Sequence, residues 1–169
     1  MRTVASLATP SQTPISEDLV AFLAQGVSLL VGTCDAALTP HCMRATGVLV
    51  HADRCHVTVY LPEVTSRHTV THVAANPRAA VLVSQPLDHR SFQMKGAVVR
   101  VAPAPSEAQA FIEDYLAGFA RVLETVGMPY EVVTNLSHWP SLALELHVEE
   151  LFLQTPGPGA GARLTGPAP

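Results

Sequence analysis

The pattern of apolar and polar positions changes period shortly after residue 26. Over "SEDLVAFLAQG", Ser16 precedes two acids, and Leu19, Phe22 and Leu23 share one helical face up to Gly26. A hydroxyl cap, acids in the first turn and a glycine stop predict a short amphipathic helix. After it, "VSLLVGTC", "HCMRATGVLV" and "CHVTVYL" are β-branched apolar runs of strand length, the last two joined by the polar turn "HADR". That arrangement predicts an antiparallel hairpin. A short helix is expected from about Ser66 to Ala75, with Pro77 as its stop, followed by the strands "RAAVLVS" and "RSFQMKGAVVRV".

Further along, "SEAQ" at 106–109 has the form of a capping box, and Phe111, Ile112, Tyr115, Leu116, Phe119, Leu123 and Val126 recur at helical spacing. A longer helix over 107–126 is expected there. Residues 130–140 leave room for one more helical turn, and "LALELHVEELFLQT" alternates as one bent strand or two short ones. The closing "PGPGAGARLTGPAP" is too rich in Pro and Gly to be expected to pack as an element. Six or seven strands with hairpin links, short helices and one long helix predict an α+β antiparallel barrel with peripheral helices. No GxGxxG follows a strand, which disfavours a parallel dinucleotide-binding sheet. The expected organisation is a flexible arm over 1–15, one domain over 16–154 and a Pro/Gly-rich tail over 155–169.

Composition narrows the chemistry. With 169 residues, 48% hydrophobic and 14% charged, the chain suits one domain with a sizeable core. A formal charge of -4 and the lack of a basic block argue against nucleic acid or an anionic membrane as partner. Cys34, Cys42 and Cys55 are odd in number, show no CxxC spacing and fall in apolar runs. They read as small buried thiols in a reducing compartment. The opening "TVASLATPSQTP" is too short and too broken for a secretory signal, and no apolar run reaches about 18 residues, so a cytoplasmic location is expected.

Three places carry candidate chemistry. At "TSRH" a helix begins, and a helix start offers unpaired N–H groups and a positive dipole end; with Ser66 and Arg67 it makes a seat for a phosphate. The plainer reading has Ser66 as a cap and Arg67 as solvated surface. Arg44 stands within an otherwise apolar strand, where a guanidinium must be paired, lie at an edge or face an anion. Convergence of Arg44 and Arg67 on one phosphate competes with those structural readings. Alternation along "RSFQMKG" sets Phe92 and Met94 on one face and Ser91, Gln93 and Lys95 on the other. Lys95 is the only lysine in the chain; Gln93 and Lys95 face either water or a bound ring system whose negative charge the lysine would stabilise. Among the eight histidines, His68 and His72 share a helical face and His51 and His56 flank a turn. "HTVTH" lacks the glutamate of HExxH and no Cys/His quartet has zinc spacing, so no metal is expected.

The stretch "VYLPEVTSRHTVTHVAANPRAAVLVS" resembles the pyridoxamine phosphate oxidase-like family of FMN-binding split barrels, whose pattern is a strand end, an S-R-K turn opening a helix, and "NPR" before the next strand. The resemblance runs from about residue 16 to 101 and includes an arginine on the second strand, here Arg44, and "QMKG" at a strand end. It implies a split barrel, FMN as cofactor and a homodimer with each flavin in a groove between chains. Arg44, Ser66, Arg67 and His68 would hold the phosphate, while Gln93 and Lys95 tune the ring. His68 stands where the family has a lysine, and Leu49 lies near the position of another. No match to the substrate-binding arginine pattern of the vitamin oxidase occurs in "QTPGPGAGARL", so oxidation of pyridoxamine phosphate is not the expected activity.

The leading expectation is an FMN-dependent oxidoreductase reduced by a small molecule such as NAD(P)H, with the cofactor supplying the chemistry. Two other readings stand beside it. The barrel holds flavin, a deazaflavin or haem for storage or sensing, or it is a cofactor-free dimeric module.

Overall fold

The computed structural model describes residues 15–165. Helix α1 (Glu17–Leu23) begins as expected, with Ser16 Oγ accepting the Leu19 N–H at 3.3 Å, and Gly26 turns the chain at a φ of 70°. The strands are β1 (Ser28–Cys34), β2 (Pro40–Arg44), β3 (Gly47–Val50), β4 (His56–Pro62), β5 (Arg78–Ser84), β6 (Ser91–Pro103) and β7 (Ser141–Leu153). They pair antiparallel in the order β2-β1-β5-β6-β7-β4-β3.

The two edges of that order are consecutive in the chain. "HCMRATGVLV", expected as one strand, divides at two residues: the Ala45 N–H donates to Leu29 O in β1 at 3.1 Å, and the Thr46 N–H to Tyr60 O in β4 at 2.9 Å. Successive N–H groups of extended backbone point to opposite sides, so one bent segment serves both edges and draws the sheet into a split barrel.

Alternation then decides what is inside. Leu29, Val31, Val57, Val59, Leu61, Val81, Val83, Met94, Leu144, Leu146 and Val148 are all buried, and α1 adds Leu19, Phe22 and Leu23 to the same cluster. Each such side chain contributes roughly 1.5–3 kcal/mol of burial. A second cluster forms where α3 (Ala108–Glu124) sets Ile112, Leu116 and Phe119 beside Tyr60, joined by Val133 of α4 (Tyr130–Thr134). The capping box expected at "SEAQ" does not form. Ser106 Oγ donates toward Glu107 Oε2, and the Gln109 N–H takes the Ser106 backbone carbonyl at 3.2 Å. The helix therefore starts after a tight turn, and Val126 falls beyond its end, 60% exposed.

Strand β7 is continuous. Register shifts at Lys95/Gly96 and Val98/Arg100 accommodate the bend against β6. The tail also differs from expectation, since β8 (Arg163–Thr165) pairs with β7 and Arg163 forms an ion pair with Glu150. Pro and Gly in "PGPGAGA" make the return, where the Gly161 N–H donates to Leu153 O at 2.7 Å. Of the expected arm, residues 1–14 lie outside the described residues, as do 166–169; Ile15 is fully buried and its N–H donates to Arg54 O at 2.6 Å. Among the described residues, no helix is long and apolar enough to cross a membrane.

Candidate functional site

The residues that alternate with the core point outward in rows across β2, β1, β5, β6 and β7. Ser28, Ser84 and Ser91 form one row; Arg44, Leu30, Leu82, Gln93 and Phe152 the next; Cys42, Gly32, Ala80, Lys95 and Glu150 the third. Rows two residues apart stand about 7 Å from one another. The third row floors a recess of about 580 Å³, walled by Cys34, His41 and Arg78. The serine row, with Arg44, lines a second recess of about 430 Å³ under Phe119, Leu123 and Met128 of the α3 region. Both volumes lie in the range of small-molecule sites, about 300–1,000 Å³.

In the larger recess Gly32 and Ala80 make a low floor. A Cβ on Gly32 would meet nothing nearer than Ala80 O at 3.8 Å, so any longer side chain there would project into the space. Lys95 is half-buried at the rim, its Nζ 4.6 Å from the centroid of the Phe152 ring. The other charges are paired: Arg78 Nη1 lies 2.7 Å from Glu149 Oε2, and Glu150 binds Arg163. Among the cysteines only Cys55 is buried. The expectation of three buried thiols is thus corrected. Cys34 and Cys42 sit at outward positions of β1 and β2, and Cys34 Sγ accepts from Asn76 Nδ2 at 3.1 Å.

The "TSRH" stretch folds as a 3-10 turn, Glu63–Thr65, leading into α2 (Arg67–Ala75). Ser66 holds the cap position but does not cap. With φ -84° and ψ -6° it is already helical, and its hydroxyl turns back to donate to Glu63 O at 3.0 Å. A cap needs extended backbone at that residue, and the preceding 3-10 turn removes it. The first N–H groups of α2 are therefore left without a side-chain acceptor, beside an exposed Arg67.

His68 and His72 share a face of α2 as expected, and β2 adds His41. Ring centroids lie 5.2 Å apart for His41–His68, 5.9 Å for His41–His72 and 6.5 Å for His68–His72. Because His41 also lines the larger recess, it joins the start of α2 to that space. His51 and His56 flank the β3–β4 turn at 5.9 Å, and His56 Nδ1 lies 2.6 Å from Asp53 Oδ2. The Cys55 N–H and the His56 ring hold the Asp53 carboxyl down at about 2. No set of three ligating side chains is placed to hold a metal among the described residues.

The six residues singled out in the sequence are thus divided. Lys95 lines the larger recess, and His68 meets it through His41. Ser66 is buried with its hydroxyl engaged, and Arg67 makes no ion pair among the described residues. Gln93 lies in the middle row and accepts from Gln154 Nε2 at 3.3 Å. Arg44 belongs to the second recess: Nη1 donates to Ser28 Oγ at 3.2 Å, and the guanidinium carbon stands 5.9 Å from the Phe119 centroid. Its contacts are with β1 and α3 rather than α2. Sequence reasoning missed Gly32, Cys34, His41 and Cys42 as site residues. A glycine inside a strand was the available signal, since it marks close approach or open space.

Among functionally curated proteins, none matches the chain. Solved structures do. HupZ of Group A Streptococcus is 13% identical and superposes with a TM-score of 0.55 over 87% of this chain and 100% of its own. An F420 reductase is 14% identical, with a TM-score of 0.53 over 81% and 98%. A Lactobacillus delbrueckii protein provisionally described as a pyridoxamine 5'-phosphate oxidase is 14% identical, with a TM-score of 0.52 over 86% and 97%. At these identities the likeness is one of fold, the antiparallel split barrel. The family model for pyridoxamine 5'-phosphate oxidase matches residues 15–154, from the buried Ile15 through the whole barrel to the end of β7, and the chain therefore belongs to that family.

Proposed function

We propose that the chain binds FMN on the outer face of the sheet and serves as a flavin-dependent oxidoreductase for a small molecule. The observation that carries this reading is the larger recess: a low Gly32–Ala80 floor, the chain's only lysine at its rim, and an uncapped helix start joined to it through His41. These residues fit the cofactor. A planar ring suits the low floor, with Lys95 placed to stabilise negative charge on it and the Gln93 amide at its margin. Arg67 and the N–H groups of α2 suit a phosphate, with His68 alongside. Bound flavin supplies hydride chemistry, so the chain itself need provide only binding, orientation and charge.

The visible spectrum of the purified protein tests the proposal. Oxidised-flavin bands that bleach under anaerobic NADH or NADPH are the expected result; a spectrum without them after incubation with FMN overturns it. A storage or sensing role for haem is favoured by the cluster of the His41, His68 and His72 rings, and a Soret band would select it.

The same face is proposed to pair two chains. Leu30 and Leu82 are only half-buried on it, although the barrel interior is already filled. A stable pairing buries on the order of 1,000 Å² or more. Sedimentation at micromolar concentration is expected to show a dimer; a monomer both with and without FMN refutes it.

A further inference from the structure

Lys95 and Glu150 stand directly opposite each other on β6 and β7, and both line the larger recess. Opposite positions of an antiparallel pair bring Cβ atoms to about 4.5–5.5 Å, and a lysine facing a glutamate there ordinarily forms a cross-strand ion pair. Here it does not. Glu150 is taken by Arg163 from β8, and Lys95 makes no ion pair among the described residues. Its Nζ stands against the Phe152 ring instead, 4.6 Å from the centroid.

The register of the tail explains the exchange. Arg163 is the β8 partner of Phe152, two residues beyond Glu150 on β7, and its guanidinium carbon lies 5.5 Å from the centroid of the same ring. A guanidinium offers a carboxylate a planar fork of donors that an ammonium lacks, so it wins the competition for Glu150. The Arg163 and Glu150 side chains are only 28% and 25% exposed, which limits screening of the pair by solvent. Lys95 is left with the face of an aromatic ring, which attracts the ammonium without neutralising it. Arg78, the other cationic side chain of the lining, is matched by Glu149. Among the Lys, Arg, Asp and Glu side chains of that lining, Lys95 therefore carries the uncompensated charge.

We infer that β8 sets the charge of the larger recess: by holding Glu150, Arg163 keeps Lys95 available to an anionic group of the molecule bound there. Arg163 does not line the recess and acts through Glu150 and Lys95, which makes it a positioning residue. For the flavin proposed above, the anionic group is the electron-rich edge of the reduced ring, and this part of the inference rests on that reading. Without Arg163, Glu150 turns to Lys95 and the two charges cancel.

Because Lys95 is the only lysine in the chain, isotope labelling of lysine gives a single side-chain signal in an NMR spectrum. In the flavin-free protein its ε-methylene protons are expected to be shifted upfield by the Phe152 ring. Arg163→Met is expected to move them back toward the position of a solvated lysine, as Lys95 leaves the ring for Glu150. Adding Glu150→Gln to that variant removes the competing carboxylate, and the upfield position is expected to return. Arg163→Lys, which keeps a cation on β8, is expected to stay close to the unsubstituted protein, and thermal unfolding of each variant checks the fold. A signal that does not move in Arg163→Met overturns the inference. So does one that moves and is not restored by Glu150→Gln, since Arg163 would then only fasten the tail. In the protein loaded with FMN, Arg163→Met is expected to reduce the preference for reduced over oxidised flavin about two- to fivefold, read as a lower reduction potential, with Glu150→Gln again restoring it. An unchanged potential in the loaded protein also overturns the inference, because the charge of Lys95 would then reach no group of the ligand. A protein that takes up no flavin ends the flavin reading alone, and the NMR comparison then decides whether Arg163 holds Glu150 away from Lys95.

Discussion

Arg67→Ala is expected to weaken FMN about ten- to a hundredfold while leaving riboflavin affinity almost unchanged. The two ligands share the ring and differ in the phosphate. Arg67 is exposed at the first residue of α2, where no side chain caps the N–H groups. Removing a charge-assisted contact from a phosphate costs roughly 1.5–3 kcal/mol, which is the expected loss in affinity. If Arg67 were plain surface, the substitution would change stability by less than about 0.5 kcal/mol and leave both ligands alone. His68→Lys is expected to act in the opposite direction, since it sets a full positive charge beside the same helix start. Fluorescence quenching with both ligands on both variants decides the matter. Equal losses for FMN and riboflavin in Arg67→Ala would remove the phosphate seat.

Gly96→Ala is expected to destabilise the fold by about 3 kcal/mol or more. The added Cβ would stand 1.8 Å from His147 O and 2.9 Å from His147 C. Both are backbone atoms, so no rotamer change relieves the overlap, and β6 would have to slide on β7. The glycine lies at the register shift where Lys95 faces Glu150 and Gly96 faces Val148, leaving Glu149 as the extra residue. That extra residue is the one that reaches Arg78. For a domain of this size, 3 kcal/mol corresponds to a fall in Tm of about 6–12 °C. Gly32→Ala is the control, because its Cβ would have its nearest neighbour at 3.8 Å and needs no backbone movement. Similar unfolding temperatures for the two variants would contradict the tight approach of β6 and β7.

Local structure was widely legible. Ser16, the two acids and Gly26 bound α1; "HADR" between two apolar runs marked the β3–β4 hairpin; Pro77 set the start of β5. Such signals depend on residues a few positions apart, whose backbone preferences act in the unfolded chain as well as the folded one. Alternation in "RSFQMKG" was equally readable, and it set Met94 inside and Lys95 outside. The family could be recognised from "TSRH" and "NPRAAV" because those turns are short and specific.

What only the tertiary structure decided has a common physical origin in partners distant along the chain. Nothing local in "HCMRATGVLV" marks Ala45 and Thr46 as a break; it arises because one N–H meets β1 and the next meets β4. The same distant pairing puts Cys34 and Cys42 on the outer face, brings His41 to His68 and His72, and gives the Gly-rich tail a strand at β8. Ser66 lost its expected cap to the conformation of the turn before it, and Arg44 meets Ser28 of β1 and the Phe119 ring of α3. Period and punctuation in the sequence determined which residues form helices and strands and which side of each strand is apolar. Which strands meet, and hence which outward side chains share a recess, was decided by hydrogen bonds and packing that exist only once the barrel has closed.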